Sequence, residues 1–116
     1  MKPKVYGIKN CDTMKKAFAW LDAQRIAYDF HDYKKAGVPP GKLKAWAQKS
    51  GWEKLANTRG PTWRKIPEAQ HNPLSEAKVL ALLEANTSAI KRPIVEAGQA
   101  LLIGFDPDDF SRKLKP

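Results

Sequence analysis

The hydrophobic pattern changes period once, sharply, between residues 5 and 23, and that change restricts the chain more than any bulk property. In "KVYGI" the positions Val5 to Ile8 form a short apolar segment with two β-formers, closed by the polar pair Lys9 and Asn10, as expected of a buried strand. From Thr13 the apolar residues Met14, Ala17, Phe18 and Leu21 recur at i, i+3, i+4 and i+7, which is one face of an α-helix running to about Ala23. The segment "AYDFHDY" then reads as a second strand. Strand, helix and strand in so short a span make a βαβ unit with parallel strands and a right-handed crossover. The only cysteine, Cys11, sits where the two periods meet.

The rest of the chain completes a small α/β domain. "VPPGKLKAWAQKSG" offers Pro39 and Pro40 as helix-entry signals, Leu43, Trp46 and Ala47 as a stripe, and Gly51 as a stop. "WEKLANTRGPTWRKIP" is broken by Gly60, Pro61 and Pro67 and holds at most two short helical turns. Ser75 is the expected N-cap of a better helix, with Val79, Leu80 and Leu83 inward and Asn86 closing it in the left-handed conformation. Ile94–Val95 and Ala100–Ile103 flank Ala97, Gly98 and Gln99 as a hairpin, and a last helix starts near Asp106 and Pro107 with Phe110 and Leu114 inward. A mixed sheet covered by helices fits this order, within one domain and with no linker or internal repeat.

Composition removes several classes. A lone cysteine can form neither an internal disulfide nor a Cys-based zinc site, and His31 and His71 lack partners at ligand spacing, so no metal is expected. No run approaches the ~18 apolar residues of a membrane span, and the start of the chain lacks a signal peptide's apolar centre; a cytoplasmic protein without a membrane partner is expected. The net charge of +9, from 21 Lys and Arg against 12 Asp and Glu, favours an anionic partner without choosing among nucleic acid, an acidic protein and a small anion. Trp46, Trp52 and Trp63 alternate with leucines at helical spacing, which favours packing over base stacking, so nucleic acid is not an expected partner.

A lone cysteine can be a small buried apolar residue or a reactive thiol. On a polar strand-to-helix turn, Cys11 meets unpaired backbone N–H groups and the positive end of a helix dipole, both of which favour thiolate. Lys9, Lys15 and Lys16 push the same way and Asp12 opposes them. Met14 stands where a Cys-X-X-Cys oxidoreductase would carry its second cysteine. A disulfide formed at Cys11 must therefore be opened by an outside thiol.

"YGIKNCDTMKKA", "NTRGPTWRK" and "IKRPIV" followed by a hairpin resemble, in order and spacing, the arsenate reductase family with its Spx and YffB-like relatives, the YffB-like members most of all. The resemblance spans nearly the whole chain. It implies a thioredoxin-like fold, a mixed four-stranded sheet with a helical insertion over about 38–88 in a single domain of residues 1–116. It further implies a glutathione-linked monothiol reductase or an arsenate reductase, with Cys11 as nucleophile, Asn10 as the polar residue before it, Arg59 and Arg92 as anion-holding arginines, and Pro93 as a cis-proline beside the cysteine. Glutathione, as cosubstrate rather than bound cofactor, or a redoxin is the implied partner of a monomer.

The pattern departs from arsenate reductases after the hairpin. Where a third arginine is due, this chain has Phe105, followed by Asp106, Asp108 and Asp109, so arsenate is expected to be a poor substrate. The alternative is an Spx-like regulator docking on RNA polymerase or another acidic partner. Spx switches use two cysteines, and Met14 argues against one here.

Overall fold

The computed structural model describes residues 2–58, 60–66 and 75–114. Its contacts group the chain into two compact units, residues 1–36 with 92–116, and residues 37–91.

The first unit holds one sheet in the order β2-β1-β3-β4. β1 (Lys4–Gly7) pairs in parallel with β2 (Asp29–Asp32), because helix α1 (Asp12–Ala23) carries the chain back to the starting edge. β3 (Ile94–Ala97) runs antiparallel to β1, and the two-residue turn Gly98–Gln99 makes β4 (Ala100–Ile103) antiparallel to β3. Gly98 takes φ +61°, which that turn demands and which a residue with a Cβ resists. The mixed four-stranded sheet and the hairpin thus match the sequence reading.

Register decides the core. Phe30, Val5, Val95 and Leu102 stand opposite one another in a single row across all four strands. Val5, Val95 and Leu102 are buried against Met14, Ala17 and Leu21 of α1 and Phe110 of helix α6 (Pro107–Leu114). Each of these side chains other than Ala17 contributes about 1.5–3 kcal/mol on burial. Phe110 meets Trp20 and Phe105 edge-on, with centroids 5.5 and 5.0 Å apart. The Asp106 carboxylate accepts the Asp108 N–H at 2.9 Å and Pro107 follows it, the helix entry expected from the sequence.

Tyr33 departs from expectation. It ends no strand but opens the short helix α2 (Tyr33–Ala36), because the Asp32 carboxylate accepts the Lys34 N–H at 2.9 Å and turns the chain.

The second unit is helical: α3 (Lys42–Ser50), α4 (Pro61–Arg64) and α5 (Glu76–Ala85), with single 3₁₀ turns at Trp52–Lys54 and Thr87–Ala89. Leu43, Trp46, Leu55, Trp63, Val79, Leu83 and Ile90 are buried; Trp52 is half-buried. Tryptophan packing is therefore structural at Trp46 and Trp63. Gly41, at φ +80°, caps α3 in place of the prolines, and Ser75 Oγ accepts the Lys78 N–H at 3.3 Å as the expected N-cap of α5. Two details correct the sequence reading. Asn86 lies at φ −132° and closes α5 through its side-chain amide, which donates to the Leu82 carbonyl at 3.0 Å. Leu80 is only half-buried. Residues 55–57 pair with 89–91 through Asn57 N–H to Ala89 O at 2.8 Å and Lys91 N–H to Leu55 O at 2.7 Å.

Candidate active site

Because β1 and β3 are antiparallel, with Tyr6 opposite Ile94, the segment leaving β1 and the segment entering β3 emerge at one end of the sheet. The first carries Cys11 and the second Arg92 and Pro93. Cys11 is the N-cap of α1, in extended backbone conformation (φ −146°, ψ 134°), half-buried against the core cluster. The Arg92–Pro93 bond is cis, as the resemblance implies, and the Pro93 carbonyl accepts the Gly104 N–H at 2.8 Å, tying this entry to the end of the hairpin.

The N–H groups of α1 do not reach the Cys11 sulfur at full capping geometry, but those of Thr13 and Met14 face it closely enough to favour the anion. Burial pushes the thiol up, but the Met14 N–H, a hydrogen bond from the Arg92 side chain, the Thr13 N–H and the Arg92 charge together outweigh burial and hold it below the ordinary thiol value. The cationic contribution comes from Arg92, not from Lys9, Lys15 or Lys16, which the sequence alone put forward. The helix N-terminus acts through two specific N–H groups. A half-exposed thiolate beside a guanidinium can attack a sulfur, and the guanidinium can hold an anionic group nearby.

Asn10 is exposed immediately before the cysteine. Arg59 and His71 lie outside the described residues. The structure thus brings Cys11, Asn10, Arg92 and Pro93 to one end of the first unit. His31, given no role from sequence, has its ring 5.4 Å from that of Tyr6 and 6.1 Å from that of Tyr33.

Sequence reasoning missed two features near this end. One is a polar cluster on the sheet face opposite the Val5 row: Tyr6 donates to the Glu96 carboxylate at 2.7 Å, and the buried Tyr33 hydroxyl finds no hydrogen-bond partner among the described residues. Burial raises the Tyr33 phenol first, with Tyr6 and Glu96 adding to it and Arg92 opposing. The other is an open groove of about 390 Å³ lined by Lys9, Asn10, Lys15, Phe18, Tyr28 and Phe30. Its signal was available, since Lys15 and Phe18 stand at i and i+3 on one face of the helix that follows Cys11.

Comparison with known proteins places this geometry. The solved structure of a protein named YFFB superimposes with a TM-score of 0.92 at 48% identity, over 97% of this chain and 99% of that one. An arsenate reductase (ArsC) related protein from Brucella melitensis gives a TM-score of 0.78 at 41% identity, over 100% and 97%. An uncharacterized protein of Haemophilus influenzae is 41% identical across 91% of this chain and 93% of its own length. More distantly, the global transcriptional regulator Spx of Streptococcus mutans is 24% identical across 86% and 74%. A glutaredoxin from Archaeoglobus fulgidus, at a TM-score of 0.50 and 11% identity, shares the fold, which is thioredoxin-like. The ArsC family profile matches residues 6–112, from the strand before Cys11 to the last helix, and this chain belongs to the ArsC family.

Proposed function

We propose that this protein is a glutathione-dependent monothiol reductase in which Cys11 is the nucleophile. The observation that carries this reading is the Cys11 thiol held low by Arg92 and the N–H groups of Thr13 and Met14 at the sheet end. The Cys11 thiolate attacks the glutathione sulfur of a mixed disulfide R–S–S–G. A Cys11–glutathione disulfide forms as the original S–S bond breaks, and RS⁻ leaves and takes a proton from water. A second glutathione thiolate attacks the glutathione sulfur on Cys11, releasing oxidised glutathione and restoring the Cys11 thiolate. The net reaction reduces one mixed disulfide to RSH at the expense of glutathione. An outside thiol is required because Cys11 is the only cysteine in the chain.

In this reading Arg92 stabilises the attacking thiolate and holds a substrate carboxylate, with Asn10 beside it and Arg59 as a second anion holder. Arsenate is a poor substrate. Phe105, at about the place of the third arginine, packs edge-on against Phe110, and Asp106, Asp108 and Asp109 repel a multiply charged anion. Spx relatives suggest a regulator, but Met14 is fully buried where their switch needs a second cysteine.

Mass spectrometry after incubation with oxidised glutathione tests the reading. The native protein gains one glutathione, removable by excess reduced glutathione, Cys11→Ser gains none, and Arg92→Ala gains it more slowly. No uptake by the native protein, or turnover of arsenate as fast as of a disulfide, refutes it.

A further inference from the structure

The groove that begins at Asn10, next in sequence to Cys11, has a composition that glutathione does not explain. Its floor is aromatic: Phe18 stacks on Tyr28 with centroids 5.4 Å apart and planes 13° off parallel, and meets Phe30 edge-on at 5.1 Å. All three rings are half-buried, so each leaves part of its surface to solvent. The rim is cationic, formed by exposed Lys9 and Lys15 with the Asn10 amide, and among the described residues no carboxylate lines the groove. Burial first and the nearby Asp22 carboxylate second push the Tyr28 phenol above its ordinary value.

The groove also has a direction. Asn10, the residue before Cys11, lines one end, and Lys15 and Phe18 share a face of α1, so it runs about 10 Å from the N-terminal end of α1 towards Phe18 at 1.5 Å per residue. Tyr28 and Phe30 point to the same side of the edge strand and extend the floor away from the Cys11 end, because β2 is parallel to β1. This is room for one aromatic ring with its substituent. Glutathione, a polar peptide with no aromatic or bulky apolar side chain, would leave the floor uncovered.

Resting on the reading of Cys11 as nucleophile, we infer that this groove seats the non-glutathione half of the substrate, and that the favoured substrates are disulfides of small aromatic thiols bearing a carboxylate. The ring lies on Phe18, Tyr28 and Phe30 and the carboxylate faces Lys9 and Lys15. Its sulfur, at the Asn10 end, becomes the leaving thiolate when Cys11 attacks the sulfur bonded to it. The Cys11–sulfur bond forms as the substrate's S–S bond breaks, and glutathione then reduces the adduct on Cys11.

The test follows thiol release in a single turnover from three symmetrical disulfides: that of thionitrobenzoate (aromatic, anionic), dithiodipyridine (aromatic, neutral) and dithiodipropionate (aliphatic, anionic). Each rate is divided by that of N-acetylcysteine under the same conditions to remove intrinsic reactivity, and iodoacetamide alkylation reports thiolate content in every variant. The expected result is saturation with the thionitrobenzoate disulfide. Lys15→Glu, a surface change that leaves the fold intact, should raise its half-saturation concentration about 5-fold, as reversal of an exposed charge facing an anion allows, while leaving dithiodipyridine unaffected. Tyr28→Ser should weaken both aromatic probes and not dithiodipropionate. Rates that stay linear in concentration, or a Lys15→Glu effect equal on both aromatic probes, overturn the groove assignment while Cys11 chemistry stands. Failure of Cys11 to react with any of the three overturns the nucleophile reading and this inference with it.

Discussion

Replacing Tyr33 with Phe should make the protein more stable. The Tyr33 side chain is 2% exposed, and its hydroxyl meets no hydrogen-bonding group among the described residues. A buried hydroxyl without a partner costs about 1–3 kcal/mol relative to its hydration in the unfolded chain, and Phe keeps the ring, its volume and its contacts. Losing the oxygen forfeits a few dispersion contacts worth roughly 0.1–0.2 kcal/mol each, so about 1 kcal/mol of net stabilisation remains. For a chain of this length that raises Tm by about 3–6 °C. Tyr6 is the internal control. It is equally buried, but its hydroxyl donates to Glu96 at 2.7 Å, so Tyr6→Phe strands part of a carboxylate and should cost about 1–3 kcal/mol. Urea unfolding of both variants, with unchanged m-values, reads the two signs directly. A Tyr33→Phe variant destabilised by about 1 kcal/mol or more would mean that the hydroxyl is satisfied, and the reasoning fails.

Three further outcomes are expected. Alkylation of Cys11 followed against pH should show a midpoint below the ordinary thiol value of about 8.5, moved upward in Arg92→Ala. Between that lowered midpoint and the ordinary value the unfolded chain binds more protons than the folded one, so stability should rise with pH across the window; Cys11→Ser should abolish the slope, and a flat native profile would contradict the thiolate. Gly7→Ala would place a methyl 2.6 Å from Met14 Sδ and 2.7 Å from its Cε, against a side chain that is fully buried. A cost of about 1–2 kcal/mol is expected, partly relieved in Gly7→Ala/Met14→Ala, and additive single and double variants in a mutant cycle would show that the two do not touch.

The sheet was legible in sequence because its strands differ in period from α1 and because Gly98 marks the hairpin. The row of Phe30, Val5, Val95 and Leu102 was not, since register across strands distant in sequence depends on pairing that no local pattern carries. Cys11 could be read from its place at the switch of period. Arg92 could not, because lysines and arginines spread along the chain look alike until the antiparallel pairing of β1 with β3 brings one of them to the thiol. Resemblance supplied what spacing withheld. Tyr33 was misread because an aromatic after "DFHD" continues a strand pattern, while the Asp32 carboxylate that turns the chain acts through a bond invisible to periodicity.

The hairpin also determines where this site tolerates change in length. Its tip, Gly98–Gln99, lies at the sheet end away from Cys11, while its base holds Arg92, Pro93 and Gly104 at the thiol end. A residue inserted at the tip leaves every pairing between β1 and β3 in place. One inserted at the base, between Pro93 and Ile94, displaces the guanidinium by about 3.3 Å, the rise of one strand residue, and carries it out of bonding reach of the sulfur. The site is thus insulated from indels on one side of a four-residue strand and fully exposed to them on the other.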